Sequence, residues 1–171
     1  METASCLCPD RVISSWQIAP RTAGGQAIWR YWLAKRAAVG TRLPGRADID
    51  PSDMLDFLPN VFLVDVDPLP TGRLGFRYRL AGTGMRYIMG GEIGGKTLSE
   101  ALLPDVARAF EQAYAAVSRR GEPLQNNGDA FWEPARGFLQ VETLLLPLAG
   151  PDGAVAMLLG HCALEAASAG R

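Results

Sequence analysis

Residues 138–164 read FLQVETLLLPLAGPDGAVAMLLGHCAL, and this stretch decides the fold. Two apolar runs, Phe138 to Leu148 and Ala154 to Leu164, flank the turn formers Gly150, Pro151, Asp152 and Gly153. That pattern predicts two long strands folded back on each other as an antiparallel hairpin. Immediately upstream, Pro123 to Asn127 reads as a weak strand, followed by a turn-rich connection from Phe131 to Gly137.

Before these strands the period changes from 2 to 3.6. Between Pro104 and Arg120, the residues Val106, Ala109, Phe110, Ala113, Tyr114 and Val117 mark one face of a helix. Arg119 and Arg120 suit its negative C-terminal end, and Gly121 stops it. Further upstream, Leu74, Phe76, Tyr78 and Leu80 alternate with Gly75, Arg77 and Arg79, which predicts a half-buried strand. Val61 to Val66 is a short apolar run, and the turn residues Pro68, Pro70 and Gly72 join the two as a hairpin. Gly82 to Gly95 reads as short irregular helical turns.

Two helical elements precede the first hairpin. Ala23 to Val39 carries Trp29, Trp32, Leu33 and Arg36 at helical spacing, with Gly40 as its stop signal. Asp50 can cap a short helix whose first turn holds Pro51 and which ends at Pro59. A block of helices between runs of strands argues for the α+β class with an antiparallel sheet. The expected organisation is a flexible arm over 1–22, a helix and short capping helix over 23–59, a core over 60–165 and a tail over 166–171.

Composition narrows the function. The chain has 171 residues, 48 % hydrophobic and 20 % charged, with 18 acidic against 17 basic side chains and a formal net charge of −1. No global positive field attracts nucleic acid or an anionic membrane. No apolar run approaches the length of a membrane span, and Met1 to Asp10 lacks the features of a secretory leader, so a cytoplasmic protein is expected. Cys6, Cys8 and Cys162 form no disulfide framework, and the first two are too closely spaced for the usual zinc pair.

The chain resembles the PAS domain superfamily, specifically the small stand-alone PAS-like family common in alphaproteobacteria. The resemblance spans residues 24 to 165. It is carried by the helix with Trp29, Tyr31 and Trp32, by LPGRADIDPSDMLDFLPNVFLVDV at 43–66, by FRYRLAGTGM at 76–85, by GGKTL at 94–98 and by LLLPLAGPDGAVAMLLG at 144–160. It implies a five-stranded antiparallel sheet with the short helices and the long helix on one face, around a pocket that either senses a small molecule or is purely structural. It also implies signalling by interaction rather than turnover. With only six residues after 165, an attached effector is not expected, so output would pass through a partner protein or a homodimer.

Residue types bear on cofactor chemistry. The haem sensors of the superfamily commonly use a histidine on or next to the long helix, and Pro104 to Arg120 has none. The flavin and yellow-chromophore photosensors need a cysteine ahead of that helix, which Gly82 to Leu103 lacks. Any cofactor is left unassigned. Gly90 to Thr97 matches the spacing of a phosphate-binding loop, but the segment before it is not a buried strand and Pro104 interrupts the segment after it, so this reads as a chance match.

The candidate ligand-binding residues are Phe76, Tyr78, Met85, Tyr87, Met89, Phe110 and Tyr114, a set of Met and aromatic side chains suited to an adaptable apolar pocket. The same residues could equally fill a core with no cavity. Trp29, Trp32 and Leu33 are the candidate interface, covering either the face of the chain's own sheet or a second subunit. His161, the one histidine, is expected to be a hydrogen-bonded structural residue. Glu142, within an apolar strand, is expected on an exposed sheet face, with Arg77 or Arg79 as candidate partners. A sensory or regulatory protein, gated or not by a small molecule, is the leading functional reading. A ligand-free dimerisation adaptor is the alternative, and a small α+β enzyme a weaker one, because no nucleophile, base and orienter stand at recognisable spacing.

Overall fold

The computed structural model describes residues 17–40 and 42–166. Cys6 and Cys8, most of the expected arm and nearly all of the tail lie outside the described residues. Helix α1 (Ala23–Ala38) comes first, followed by three-residue and four-residue 3-10 turns at Arg46–Asp48, Pro51–Met54 and Leu58–Asn60. Then come β1 (Val61–Pro68), β2 (Leu74–Ala81), α2 (Thr83–Met89), α3 (Leu98–Ala101), α4 (Pro104–Arg120), β3 (Leu124–Asp129), β4 (Gln140–Ala149) and β5 (Val155–Leu164). The five strands form one sheet in the order β2-β1-β5-β4-β3, with every pair antiparallel.

Both expected hairpins are present. The β4–β5 turn at 150–153 places Gly153 at φ +84°, in the left-handed region that glycine enters without steric penalty. Pro147 sits inside β4, but β3 pairs only as far as Leu145, so the missing N–H breaks no bond to β3. In the Asp50 segment the expected single helix is two separate 3-10 turns. Asp50 accepts from Ser52 N at 2.9 Å and Pro51 occupies the first position, while Pro59 lies in the second turn.

The sheet is covered on both faces. On the inner face, Phe62, Val64, Tyr78, Leu145 and Leu158 pack against α2, α3 and α4 in the larger core. On the outer face, Val61, Leu63, Leu144, Leu146, Leu148 and Leu159 pack under α1 and the 3-10 turns. One alternation fails, and the register explains it. Leu63 pairs with Leu80 but Val64 pairs with Tyr78, so a bulge at Arg79 sends Leu80 to the outer face, where it is 39 % exposed.

The apparent phosphate-binding loop has another role. Tyr78 N donates to Lys96 O at 2.9 Å and Gly95 N donates to Tyr78 O at 2.7 Å, so the loop adds backbone bonds to the edge strand β2. Thr97 then caps α3, accepting from Glu100 N while Glu100 accepts from Thr97 N at 2.8 Å. These amides are already used, and α3 has only four residues, so the segment protects an edge rather than cradling a phosphate.

Candidate functional site

Five of the seven predicted ligand residues, Tyr78, Met85, Met89, Phe110 and Tyr114, converge between the sheet and the helices. They surround a cavity of about 20 Å³. That is room for roughly one water molecule. The Tyr78 and Tyr114 hydroxyls meet there at 3.2 Å, and burial holds both phenols above their ordinary pKa range. Cys162 lies in the same wall, where its sulfur accepts from the Thr143 hydroxyl at 3.3 Å, and burial pushes its thiol up to about 12. The cavity is therefore lined by groups that stay neutral at physiological pH, which suits packing and weak hydrogen bonding better than acid–base or nucleophilic work.

The other two predicted ligand residues lie elsewhere. Phe76 is buried one layer back, with its ring edge-on to Tyr114 at 5.6 Å. Tyr87 faces outward, 53 % exposed, beneath the Arg136 guanidinium at 5.4 Å. On α2, Met85, Ile88 and Met89 take the i, i+3, i+4 positions that face the sheet, which leaves Tyr87 on the opposite side. The wall also contains Phe62, Leu124 and Trp132, which sequence reasoning missed. Trp132 Nε1 donates to Ile88 O at 3.1 Å and so ties the β3–β4 connection to α2. No sequence pattern marks it, because it stands in an irregular loop.

The predicted interface residues divide. Trp32 is fully buried within the chain, and its Nε1 donates to Pro147 O at 3.2 Å. Trp29 stacks on it at 5.6 Å and is half-buried, while Leu33 is 39 % exposed. Helix α1 thus covers the face of its own sheet, and Trp32 is unavailable to a second subunit while α1 is docked.

A second polar site lies under the start of α1. Glu142 is not on an exposed face; it is fully buried, and Arg79 pairs instead with Asp65 at 2.8 Å while Arg77 donates to Gly95 O at 2.7 Å. The Glu142 carboxylate accepts from Arg21 N, from Thr22 N at 3.2 Å, from the Thr22 hydroxyl at 2.7 Å and from Asn127 Nδ2 at 3.3 Å. Thr22 is the N-cap of α1 and also accepts from Gly25 N at 3.0 Å. A carboxylate is thereby held at the positive end of the helix dipole, where anions are favoured. Gln125 extends the arrangement: it donates to Asn127 Oδ1 at 2.8 Å and exchanges two hydrogen bonds with the backbone of Ala19. The last residues of the expected arm, from Ile18 to Thr22, are therefore fastened to β3 and β4.

His161 stands beside this ladder on β5. It is buried, and among the described residues its Nδ1 has no partner, contrary to the hydrogen-bonded role expected for it. Burial lowers its pKa to about 4, against a smaller opposing pull from Glu142. A Cβ on Gly24 would stand 2.6 Å from His161 Nε2, and one on Gly25 would overlap Glu142 Oε1. Two glycines in the first turn of a helix are locally unfavourable, and this close approach is what requires them. The signals for the site were Gly24-Gly25 at a helix start and single polar residues inside strands.

Among the described residues no cluster of three or more His, Cys, Asp or Glu is placed to hold a metal ion, and no helix is long and apolar enough to cross a membrane. No curated protein matches the chain in sequence. Among solved structures, the chain is similar to a fungal LOV domain photoreceptor, at 18 % identity and a TM-score of 0.42, covering 84 % of this chain and 95 % of that one. It is also similar to an RNA-binding light-oxygen-voltage receptor, at 13 % identity and a TM-score of 0.41, covering 88 % of this chain and 37 % of that one. The PAS domain family matches residues 21–163, from the entry to α1 through the end of β5, and this chain belongs to that family.

Proposed function

We propose that this chain is a regulatory PAS module whose output is contact with other proteins, and that its core is closed. Membership of the family supports a sensory or regulatory role. The observation that carries the finer reading is the cavity of about 20 Å³ between Tyr78, Tyr114 and the methionines. Pockets that hold small molecules run to roughly 300 Å³ and more, so the space here is filled by the protein's own side chains. What remains for recognition is the surface: the outward side of α1, the exposed rim of α4 and the β3 edge of the sheet.

A second reading, a sensor gated by a small apolar molecule, is supported by Met85 and Met89 in the cavity wall. Unbranched methionines change rotamer at low energetic cost, and two such movements would enlarge the cavity without moving the sheet. Native mass spectrometry of the freshly purified chain separates the two. A mass equal to the polypeptide, or to an integral multiple of it, agrees with the closed core. A retained non-protein mass that is lost on Met85→Trp replaces the closed-core reading with the sensor. Self-association, expected as a homodimer, is read by light scattering on the same sample.

A further inference from the structure

We propose that the arginine-lined groove between α4 and the β1–β2 hairpin docks an acidic amphipathic segment of a partner protein. The proposal deepens the reading of output through protein contact and does not depend on whether the core binds a ligand.

The groove is open, with a volume of about 640 Å³, and four arginines stand around it: Arg73, Arg108, Arg119 and Arg120. Arg108 and Arg119 are eleven residues apart on one stripe of α4, which separates them by about 16 Å along the helix axis. Between them the helix presents Glu111, Gln112 and the small half-buried Ala115 and Ala116, while Leu74 forms the opposite wall. A backbone can approach closely there, and apolar side chains find a floor. A second depression shares Leu74, Arg119 and Arg120 and continues past Val66 and Pro68.

Charge bookkeeping sets the sign of the partner. Glu111 is paired with Arg73 at 3.0 Å, and Arg108 has only Asp105, whose side chain is almost fully exposed, at 3.7 Å. Among the described residues Arg119 and Arg120 make no ion pair. The groove therefore carries an excess of guanidinium charge, in a geometry that matches planar carboxylates bidentately.

The lining distinguishes an acidic polypeptide from a nucleic acid. No aromatic ring lines either depression, so there is no platform on which bases would stack. Glu111 stands within the groove and would oppose a continuous phosphate backbone, whereas separated carboxylates can reach the arginines on either side of it. The net charge of −1 supplies no long-range attraction for a polyanion. An amphipathic segment, with acids on one side and Leu or Ala on the other, meets both the charge and the floor.

The test is fluorescence anisotropy on the full chain with three labelled probes: a twelve-residue peptide of alternating Glu and Leu or Ala, its Gln counterpart, and an oligothymidylate of equal length. The acidic peptide is expected to bind, to weaken about tenfold between low and physiological salt, and to lose about tenfold in affinity in Arg119→Gln/Arg120→Gln. Arg108→Gln is expected to weaken it several-fold, and Arg30→Gln on α1 to leave it unchanged. Far-UV circular dichroism identical to the parent keeps the comparison on the surface rather than the fold. Equal binding of the Gln peptide, tighter binding of the oligonucleotide, or no loss in the arginine variants would each overturn the proposal. So would light scattering that shows a dimer dissolved by Arg119→Gln/Arg120→Gln, because the occupant would then be a second copy. A non-protein mass found in the core by mass spectrometry would revise the closed-core reading and leave this surface standing.

Discussion

Replacing Glu142 by Gln keeps the volume of the side chain and removes half of its capacity to accept. The carboxylate meets four donors, two of them the backbone N–H groups of Arg21 and Thr22 at the start of α1. An amide has one accepting oxygen, and its NH₂ would face donors on the other side. Leaving a buried donor unpaired costs about 1–3 kcal/mol, so two displaced donors predict a loss of about 3 kcal/mol. That figure matters because the docking of α1 rests mainly on two fully buried side chains, Ile28 and Trp32. Their burial contributes about 5 kcal/mol between them. The helix should remain docked on average, with its undocked population raised on the order of 100-fold.

Urea unfolding followed by far-UV circular dichroism and by tryptophan fluorescence reads the total loss. Thr22→Val supplies the control for mechanism, since its hydroxyl links Glu142 to Gly25 N. Alone it should lose about 1 kcal/mol as a missing cap. Together with Glu142→Gln it should lose about 1 kcal/mol less than the sum, because both remove the same link. A Glu142→Gln protein within about 0.5 kcal/mol of the parent would refute the reasoning, since that is the range of an ordinary surface change. Strict additivity in the double variant would show that the carboxylate does not act through the helix entry.

Neighbouring groups give further expected outcomes. His161 has a folded pKa lowered to about 4 against an ordinary 6.5, so its neutral form is the one that the fold favours. The stability it contributes is present above pH 6.5 and is lost as pH falls toward 4, by about 3 kcal/mol in all; His161→Phe should flatten that part of a denaturation-against-pH curve, and an unchanged slope would contradict it. Gly25→Ala places a methyl group against Glu142 and should destabilise the protein by about 1–3 kcal/mol although Ala is the better helix former; a more stable variant would mean that the approach is not tight. Tyr114→Phe strands the Tyr78 hydroxyl at about 1–2 kcal/mol, whereas Tyr78→Phe/Tyr114→Phe should be nearly neutral; calorimetric midpoints of the three variants decide this. Trp32→Ala should lose about 3–5 kcal/mol, with protease cleavage appearing first in α1, and Trp32→Phe only about 1 kcal/mol for the bond to Pro147.

The parts of the fold that were legible are those in which one physical rule acts locally. Helix α4 shows its face at period 3.6 because each turn contributes a residue to the same core, and the hairpin 138–164 shows its turn because glycine and proline allow little else. The cavity-facing side of α4 and the inward positions of β2 up to Tyr78 were legible for the same reason. Leu80 was misplaced because a bulge depends on the register of a neighbouring strand, and register is a relation between segments. Tyr87 was misplaced because α2 has seven residues, too few to display a stripe. Whether the cavity is open or filled depends on how eleven side chains from eight parts of the chain share a few hundred Å³, roughly the volume of a small-molecule pocket, which composition does not encode.

Glu142 shows the more general limit. Read alone, an acid in a strand belongs on the solvent side, because an unpaired buried carboxylate is expensive. The compensation comes from residues 120 positions earlier, at the start of a helix that lies on the opposite side of the sheet from the main core. The same contact explains Gly25, the polar pair Gln125 and Asn127, and the seating of residues 18–22, none of which has a local reason, while Gly24 makes room for the neighbouring His161. A helix held by one buried carboxylate at its N-terminus and two apolar side chains further along is attached at separable points. Weakening the first leaves Trp32 in place, and weakening the second leaves the cap in place. Thr22→Val and Trp32→Ala can therefore loosen α1 independently at its N-terminus and at its middle, and show which attachment governs access to the outer face of the sheet.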